Sequence, residues 1–402
     1  MKTEWVHKKL GDCCERICNG LTYDVEETQG YFVTRIETIS DGYIDYNKIG
    51  HIPDKPNQDY LMVNGDILFS HINSVKHIGK VAYYDDSTEL YHGMNLLLLR
   101  ANNNIDKLFL FYLLLSDKYR RKIRTLAKSA VNQASISTTD LGKFEISYPA
   151  DLSAQRRIAA ILASADKVIA ATQKTIAKYK QMKQGMMEEL FNEQCTMNNV
   201  QWRKVRLGEC LKQKPDYGIN APAVPYDNNL PTYLRITDIT EDGYYSKKDI
   251  VSVSSQDALK YVMEEGDLVF ARTGASTGKA YLYNPKDGML VFAGFLIRVR
   301  TDGNVLLPEY LKYQTQTPQY KNWIAANSMR TGQPGINGNE YEEFPISIPF
   351  KNGKPDLSEQ CRIAAILSGI DAKIAAEEKV LEKYEKVKKG LMERLLEEEN
   401  ER

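Results

Sequence analysis

The sequence has no surplus of charge: 53 Lys and Arg stand against 53 Asp and Glu in 402 residues. Net charge therefore gives no global argument for a polyanionic partner, and any basic footprint has to be local. Cysteine is scarce, with six at 13, 14, 18, 195, 210 and 361. No Cys-x2-Cys pair faces a second pair, and no His-x3-His partner exists, so a zinc site is poorly supported and reduced thiols are expected. The one place where a metal reading could start is Cys13, Cys14 and Cys18 near His7, and these read instead as buried or incidental thiols. No apolar run approaches the roughly 18 residues of a membrane span, and the opening residues lack an apolar signal core, so a cytoplasmic protein with no membrane partner is expected. Tryptophan is rare, 3 against 25 Tyr, which biases the aromatics toward side chains with a hydrogen-bonding tip.

Catalytic signatures are missing too. The loop 274–279 resembles a phosphate loop, but it is one residue short of Gly-x4-Gly-Lys, and Ala280 stands where a magnesium-ligating hydroxyl is needed. The run after it reads as strand, where a helix N-terminus should hold the phosphate. Asp356 and Glu359 lack the Lys of a nuclease motif, and neither a glycine-rich cofactor loop nor an Asn/Asp-Pro-Pro-aromatic motif occurs. No catalytic residue, metal ligand or cofactor is nominated.

The chain is instead written twice, at an offset near 200 residues. Trp5 with Leu10, Gly11, Asp12 and Cys13 returns as Trp202 with Leu207, Gly208, Glu209 and Cys210. Gly65-Asp66 returns as Gly266-Asp267 ahead of apolar runs, Gly79-Lys80 as Gly278-Lys279, and Ile146-Ser147-Tyr148-Pro149 as Ile346-Ser347-Ile348-Pro349. Short β-branched and aromatic runs, among them 80–84, 95–100 and 290–300, read as strands between Gly, Asp and Asn turns. One amphipathic helix is expected in each half, near 107–124 and 308–326. The class is α+β with an internal tandem repeat.

Two segments differ in kind. Gln155 to Leu162 recurs as Gln360 to Leu367, each opening a long segment free of Pro. Ser153 and Ser358 are the candidate N-caps, with Asp151 and Asp356 just upstream. Counting by sevens puts Ile158, Ala165, Thr172, Tyr179 and Met186 with Leu162, Ile169, Ile176, Lys183 and Leu190 on one side. The second segment repeats this as Ile363, Ile370, Glu377, Tyr384 and Leu391 with Leu367, Ile374, Leu381, Lys388 and Leu395. A 3.5-residue repeat of this length is a coiled-coil seam, and two seams in one chain can bury each other as an antiparallel pair. The resulting layout is two β-rich domains, 1–150 and 196–350, alternating with helical regions 151–195 and 351–402.

This layout resembles the specificity subunits of type I restriction-modification systems along essentially the whole chain. The resemblance rests on the two Gln-x-x-Ile-Ala-x-x-Leu openings, each following a Pro-containing domain end. Cys361, after Gln360, departs from the family's usual pattern. The resemblance implies two target recognition domains, each reading one half of a split double-stranded DNA sequence, held apart by helices that fix the unread gap. It implies that the helices dock two methyltransferase (modification) subunits, with Gln155, Ile158, Leu162, Gln360, Ile363 and Leu367 as the partner-binding positions. Restriction subunits would join the full complex. S-adenosylmethionine, ATP and magnesium would belong to those partners, and this chain would be non-catalytic.

Candidate DNA contacts are cations and amides on polar or Gly-rich loops, because phosphate contacts position a protein and base-edge contacts specify the sequence. In the first domain these are His71, Asn73, Lys76 and Lys80, then Arg121, Arg124, Lys128, Asn132 and Gln133. The cation run near 118–128 reads equally as a solvated helix face. In the second domain they are Arg272, Thr273, Ser276 and Lys279, then Arg330, Gln333 and Asn337. Arg272 and Arg330 are the foremost, since guanidinium pairs bidentately with guanine or phosphate and the flanking glycines permit close approach. Each could also be a surface Arg on a turn. Tyr217, Tyr226 and Tyr233 are left open between stacking and packing.

Overall fold

The computed structural model describes residues 4–24, 27–40, 42–74, 77–85, 88–130, 133–192, 201–330 and 332–397. The chain divides into two compact units, Met1–Lys174 with Lys379–Arg402, and Thr175–Glu378. The helices are α1 Lys107–Leu115, α2 Asp117–Arg124, α3 Thr138–Gly142, α4 Leu152–Leu190, α5 Pro308–Gln314, α6 Pro318–Asn327, α7 Gly338–Glu342 and α8 Leu357–Leu395.

Unit 1 is built on a four-stranded antiparallel sheet in the order Cys14–Asn19, Leu97–Ala101, Ile67–Phe69, Val81–Tyr83. Its domain is closed by its own ends, for Trp5–Lys9 pairs antiparallel with Glu145–Pro149. Ile67, Phe69, Leu97 and Leu99 point from one face of the sheet into a core shared with α1 and the first turns of α4. Unit 2 repeats the plan: Asp216–Tyr217, Leu296–Arg300, Asp267–Ala271, Ala280–Leu282, closed by Gln201–Arg206 against Pro345–Lys351. Leu268, Phe270, Ile297 and Val299 face its core. As expected, a strand and not a helix follows Lys279.

The Asp of each Gly-Asp pair anchors the sheet. Asp66 is fully buried and takes two 2.8 Å bonds from Arg100 on the neighbouring strand. Asp267 is held by Arg300 at 2.6 Å and by Arg298 at 3.1 Å. These pairs join positions more than 30 residues apart, and no local motif marks them.

The single amphipathic helix expected in each half is two helices. Ser116 breaks the first, its extended backbone and Oγ capping α2, and Thr317 with Pro318 does the same for α6. After Lys107 the residues of α1 are apolar all round, and Phe109 to Leu114 are buried, so that helix is not amphipathic. The run 290–300 likewise is two strands, Leu290–Phe292 and Leu296–Arg300, lying in different sheets.

The long helices form, but their caps sit upstream of the expected serines. Asp151 accepts from the backbone of Ser153 and Ala154, and Asp356 accepts from Glu359 N at 3.1 Å. A carboxylate accepts more strongly than a hydroxyl and matches the positive helix end, so Ser153 and Ser358 lie inside the first turn. In unit 1, α4 packs along the last turns of α8, where Lys388 reaches Asp166 at 2.5 Å. In unit 2, Lys180 meets Glu378 at 3.0 Å and Lys183 meets Asp371 at 2.7 Å, so α4 rises as α8 descends. The pair is antiparallel. Every expected seam residue of α4 is buried or half-buried, and so is every one on α8 except Tyr384, which is 40% exposed.

The same triad is built in both units. Tyr112 donates to Asp166 at 2.7 Å, and Lys388 completes it over the Tyr112 ring. Tyr313 donates to Asp371 at 2.9 Å, with Lys183 over its ring. Burial pushes both phenols up, so each keeps its proton and acts as the donor. The lysines, which look out of place on an apolar seam, are thereby paired.

Candidate nucleic-acid interface

In each unit the core sheet runs out into a polar loop that a second loop meets. In unit 1 the strand Ile72–Asn73 pairs with Gln133–Ser135, which pairs in turn with Lys128–Ala130. In unit 2 Thr273 bridges Gly335, Gly274 N donates to Pro334 O at 3.0 Å, and Ile336 N donates to Arg272 O at 2.9 Å. Candidates far apart in sequence are thus drawn together: Asn73 pairs with Ala134, next to Gln133, and Arg272 and Thr273 meet the segment that follows Gln333. Helices hold the unit 2 loops in place: Tyr320 of α6 donates to Gly278 O and Tyr341 of α7 to Ala271 O. Gly274 sits at φ +72°, a backbone conformation that side chains rarely adopt, and a Cβ there would also push the Gln333 amide, 2.8 Å away, aside.

Several candidates are committed to the fold. His71 is buried, its Nδ1 has no partner among the described residues, and burial pulls its pKa down to about 4, so the ring is neutral. Asn337 caps α7 through a reciprocal pair with Glu340. Arg330 is held by Glu340 at 2.5 Å and by the carbonyls of Asn327 and Met329, closing its own loop. Lys279 pairs with Glu241 at 2.7 Å, Lys128 with Asp140 at 2.9 Å, and Arg124 donates to Ile78 O. Asn73 accepts from Ser74 N, Lys80 has a partner within the fold, and exposed Arg121 donates to a carbonyl of its own helix. Lys76 and Asn132 lie outside the described residues, and only the backbone of Gln133 is described.

Arg272 differs from these. Its guanidinium lies 4.9 Å from the centre of the Tyr217 ring, and no carboxylate pairs with it among the described residues. Tyr217 is fixed in turn by accepting from Gly338 N at 2.9 Å. The three tyrosines therefore separate: Tyr217 stacks, Tyr233 is buried and donates to Ile219 O and Ala221 O, and Tyr226 is exposed. Phe295, whose carbonyl accepts from Arg272 N at 3.0 Å, was not a candidate; it is 57% exposed. Inside the run 290–300 it reads as one more core residue of a strand.

The six helix positions expected to bind partners face inward. Gln155 and Gln360 are fully buried staples: Gln155 accepts from Asp106 N and donates to Pro149 O, and Gln360 accepts from Leu307 N and donates to Val305 O. Leu162, Ile363 and Leu367 are fully buried in the cores and Ile158 packs against one. Each long helix is thus tied to its own domain through amide bonds that no outside partner reaches.

Of the described thiols Cys13 and Cys210 are buried, Cys14 and Cys18 are half-buried and Cys361 is exposed. Burial pushes Cys14 and Cys210 up to about 12, and Cys13 lies 3.3 Å from the Tyr148 hydroxyl. No helix among the described residues is long and apolar enough to cross a membrane.

The type I restriction modification DNA specificity domain matches twice, over residues 2–181 and 199–386. A Methanocaldococcus jannaschii protein described as the type I restriction enzyme MjaX specificity subunit is 34% identical, over 98% of this chain and 93% of that protein. Among solved structures, the type I restriction-modification S subunit from M. genitalium superposes with a TM-score of 0.63 at 15% identity, covering 98% of this chain and 96% of that one. A chain from a study of complex assembly and conformational transition in the type I system gives 0.56 at 18% identity, covering 98% and 99%. These last two show the shared fold.

Proposed function

Since the chain belongs to the type I restriction-modification DNA specificity family, we propose that it is the non-catalytic reading subunit of such a complex. Each unit reads one half of a bipartite duplex sequence, and the helix pair sets the unread gap. Two modification subunits dock on the helices and supply S-adenosylmethionine chemistry, and restriction subunits bring ATP and magnesium.

The observation that carries this reading is the repeat of one site on one scaffold. Both units converge two loops at the end of an equivalent sheet, yet the residues presented there differ, as two readers of different sequences require. A helix of 39 residues spans about 60 Å, more than one DNA turn of roughly 34 Å. With the glutamines and seam turned inward, the surface left for partners is the outward stripe of each helix. In unit 1 these are Ile161 and Val168 on α4 and Val380, Tyr384 and Val387 on α8, all more than a third exposed.

Selection from a random duplex library by the chain co-purified with its modification subunit, at fixed salt, tests this. Two short motifs separated by a constant gap are expected. A stable complex that enriches no sequence overturns it.

A further inference from the structure

The geometry points to Phe295 as the residue with which unit 2 reads a thymine methyl, beside a base pair held by Arg272. This rests on the DNA-reading function proposed above and deepens it.

Residues directly opposite in an antiparallel ladder project from the same face, with Cβ atoms about 5 Å apart. In the unit 2 sheet Leu268 lies opposite Val299 and Phe270 opposite Ile297, and all four face the core. The next pair in that register is Arg272 and Phe295, joined by the bond from Arg272 N to Phe295 O. Tyr217, opposite Ile297 on its other side, lies on the same face one rung inside, and the Arg272 guanidinium reaches back over its ring. The core face of the sheet therefore emerges at its end as three adjacent side chains: an aromatic ring, a cation stacked on it, and an exposed Phe. A lone exposed apolar residue is ordinary. One in ladder register with an uncompensated guanidinium, at the meeting of the reading loops, is placed for recognition.

Phe offers no hydrogen bond, so it reads only apolar features. In the major groove the apolar feature of a base edge is the thymine 5-methyl, while the Arg fork matches guanine O6 and N7. At the same two register positions unit 1 has His71 and Asn95, and Asn95 takes a left-handed φ of 67°. Methyl reading thus belongs to one domain of the two.

The test uses the co-purified complex and its selected sequence. The motif altered by Arg272→Ala is assigned to unit 2, and each of its thymines is replaced in turn by deoxyuridine, which lacks only the methyl. One replacement is expected to weaken the unaltered complex about fourfold, the worth of one buried methyl, and to leave Phe295→Ala unaffected. Phe295→Ala should lose its thymine preference at that position and keep the other motif, which also shows that the variant is folded. Deoxyuridine effects equal in both proteins, a unit 2 motif without thymine, or a Phe295→Ala defect confined to capture of the modification subunit would each overturn the inference while leaving the DNA-reading function standing. Absence of any motif for the unaltered chain overturns both.

Discussion

At the register position beyond the last core pair of each four-stranded sheet, unit 1 has a buried neutral imidazole and an amide, and unit 2 has a stacked guanidinium and an exposed ring. Behind those positions the units share their anchors: Asp66 with Arg100 against Asp267 with Arg300, Gln155 against Gln360, and Tyr112, Asp166 and Lys388 against Tyr313, Asp371 and Lys183. The contrast teaches where duplication leaves freedom. Residues that tie sheet to sheet and helix to domain are kept, because each satisfies a buried partner, and residues at the sheet's end answer only to what binds there.

The shared scaffold can be broken in either unit, with unequal cost. Asp267→Ala removes one of two carboxylates from Arg298, whose side chain is 6% exposed and keeps Asp216, and one of two from Arg300, and should destabilise unit 2 by about 2–4 kcal/mol. Asp66→Ala should cost less, roughly 1–3 kcal/mol, because Arg100 at 24% exposure can turn to water. Hydrogen exchange resolved by unit gives both values, and equal losses would contradict the difference in burial.

The reading positions can be broken without touching the scaffold. Arg272→Ala should weaken binding to one motif by about 1–3 kcal/mol and spare the other, measured by competition between duplexes with one motif scrambled. Arg330→Ala should act more diffusely, since Arg330 holds its loop through Glu340.

Acid should separate the units. All five histidines lie in unit 1, and burial lowers both His71 and His92 to about 4. A histidine depressed in the folded state and near 6.5 unfolded contributes stability that is complete above 6.5 and is lost as pH falls toward 4. Unit 1 should therefore weaken across pH 6.5 to 4 in urea melts, and His71→Gln with His92→Gln should flatten that slope. Unit 2 has no histidine to produce it.

The smallest expected effect is a similarity. Ser137 caps α3 and Asn337 caps α7, and replacing either by Ala should cost about 1 kcal/mol in its own unit. A much larger loss for Asn337 would reinstate it as more than a cap.

Much of this was legible in the sequence. The seam of α4 was, because a 3.5-residue period is local and buried positions repeat in it. Tyr384 fails because that stretch of α8 is largely exposed, so the period outlasts the burial that justifies it. The caps were displaced because Ser and Asp both accept from a first turn, and only geometry ranks them. The break at Ser116 is hidden because a lone Ser looks like ordinary helix surface, whereas the break at Thr317 is signalled by Pro318, which has no N–H to continue a helix. Gln155 and Gln360 stand out in the sequence as partner contacts, yet their bonds go to carbonyls and amides of the same domain. Arg272 was visible from its glycines, while Phe295 was hidden by its resemblance to core.

In each unit the domain's first and last strands lie side by side, Trp5 opposite Pro149 and Trp202 opposite Pro349. Tension applied through the two chain ends of such a domain would not shear that ladder along its length but peel it one rung at a time, starting at the outermost pair. Gln155 bonds the Pro149 carbonyl, and Asp356 N bonds that of Pro349 at 2.7 Å. The rung that the adjoining helix end pins is thus the first to feel a pull in unit 1 and the second in unit 2, where Gln201 and Phe350 pair outside it.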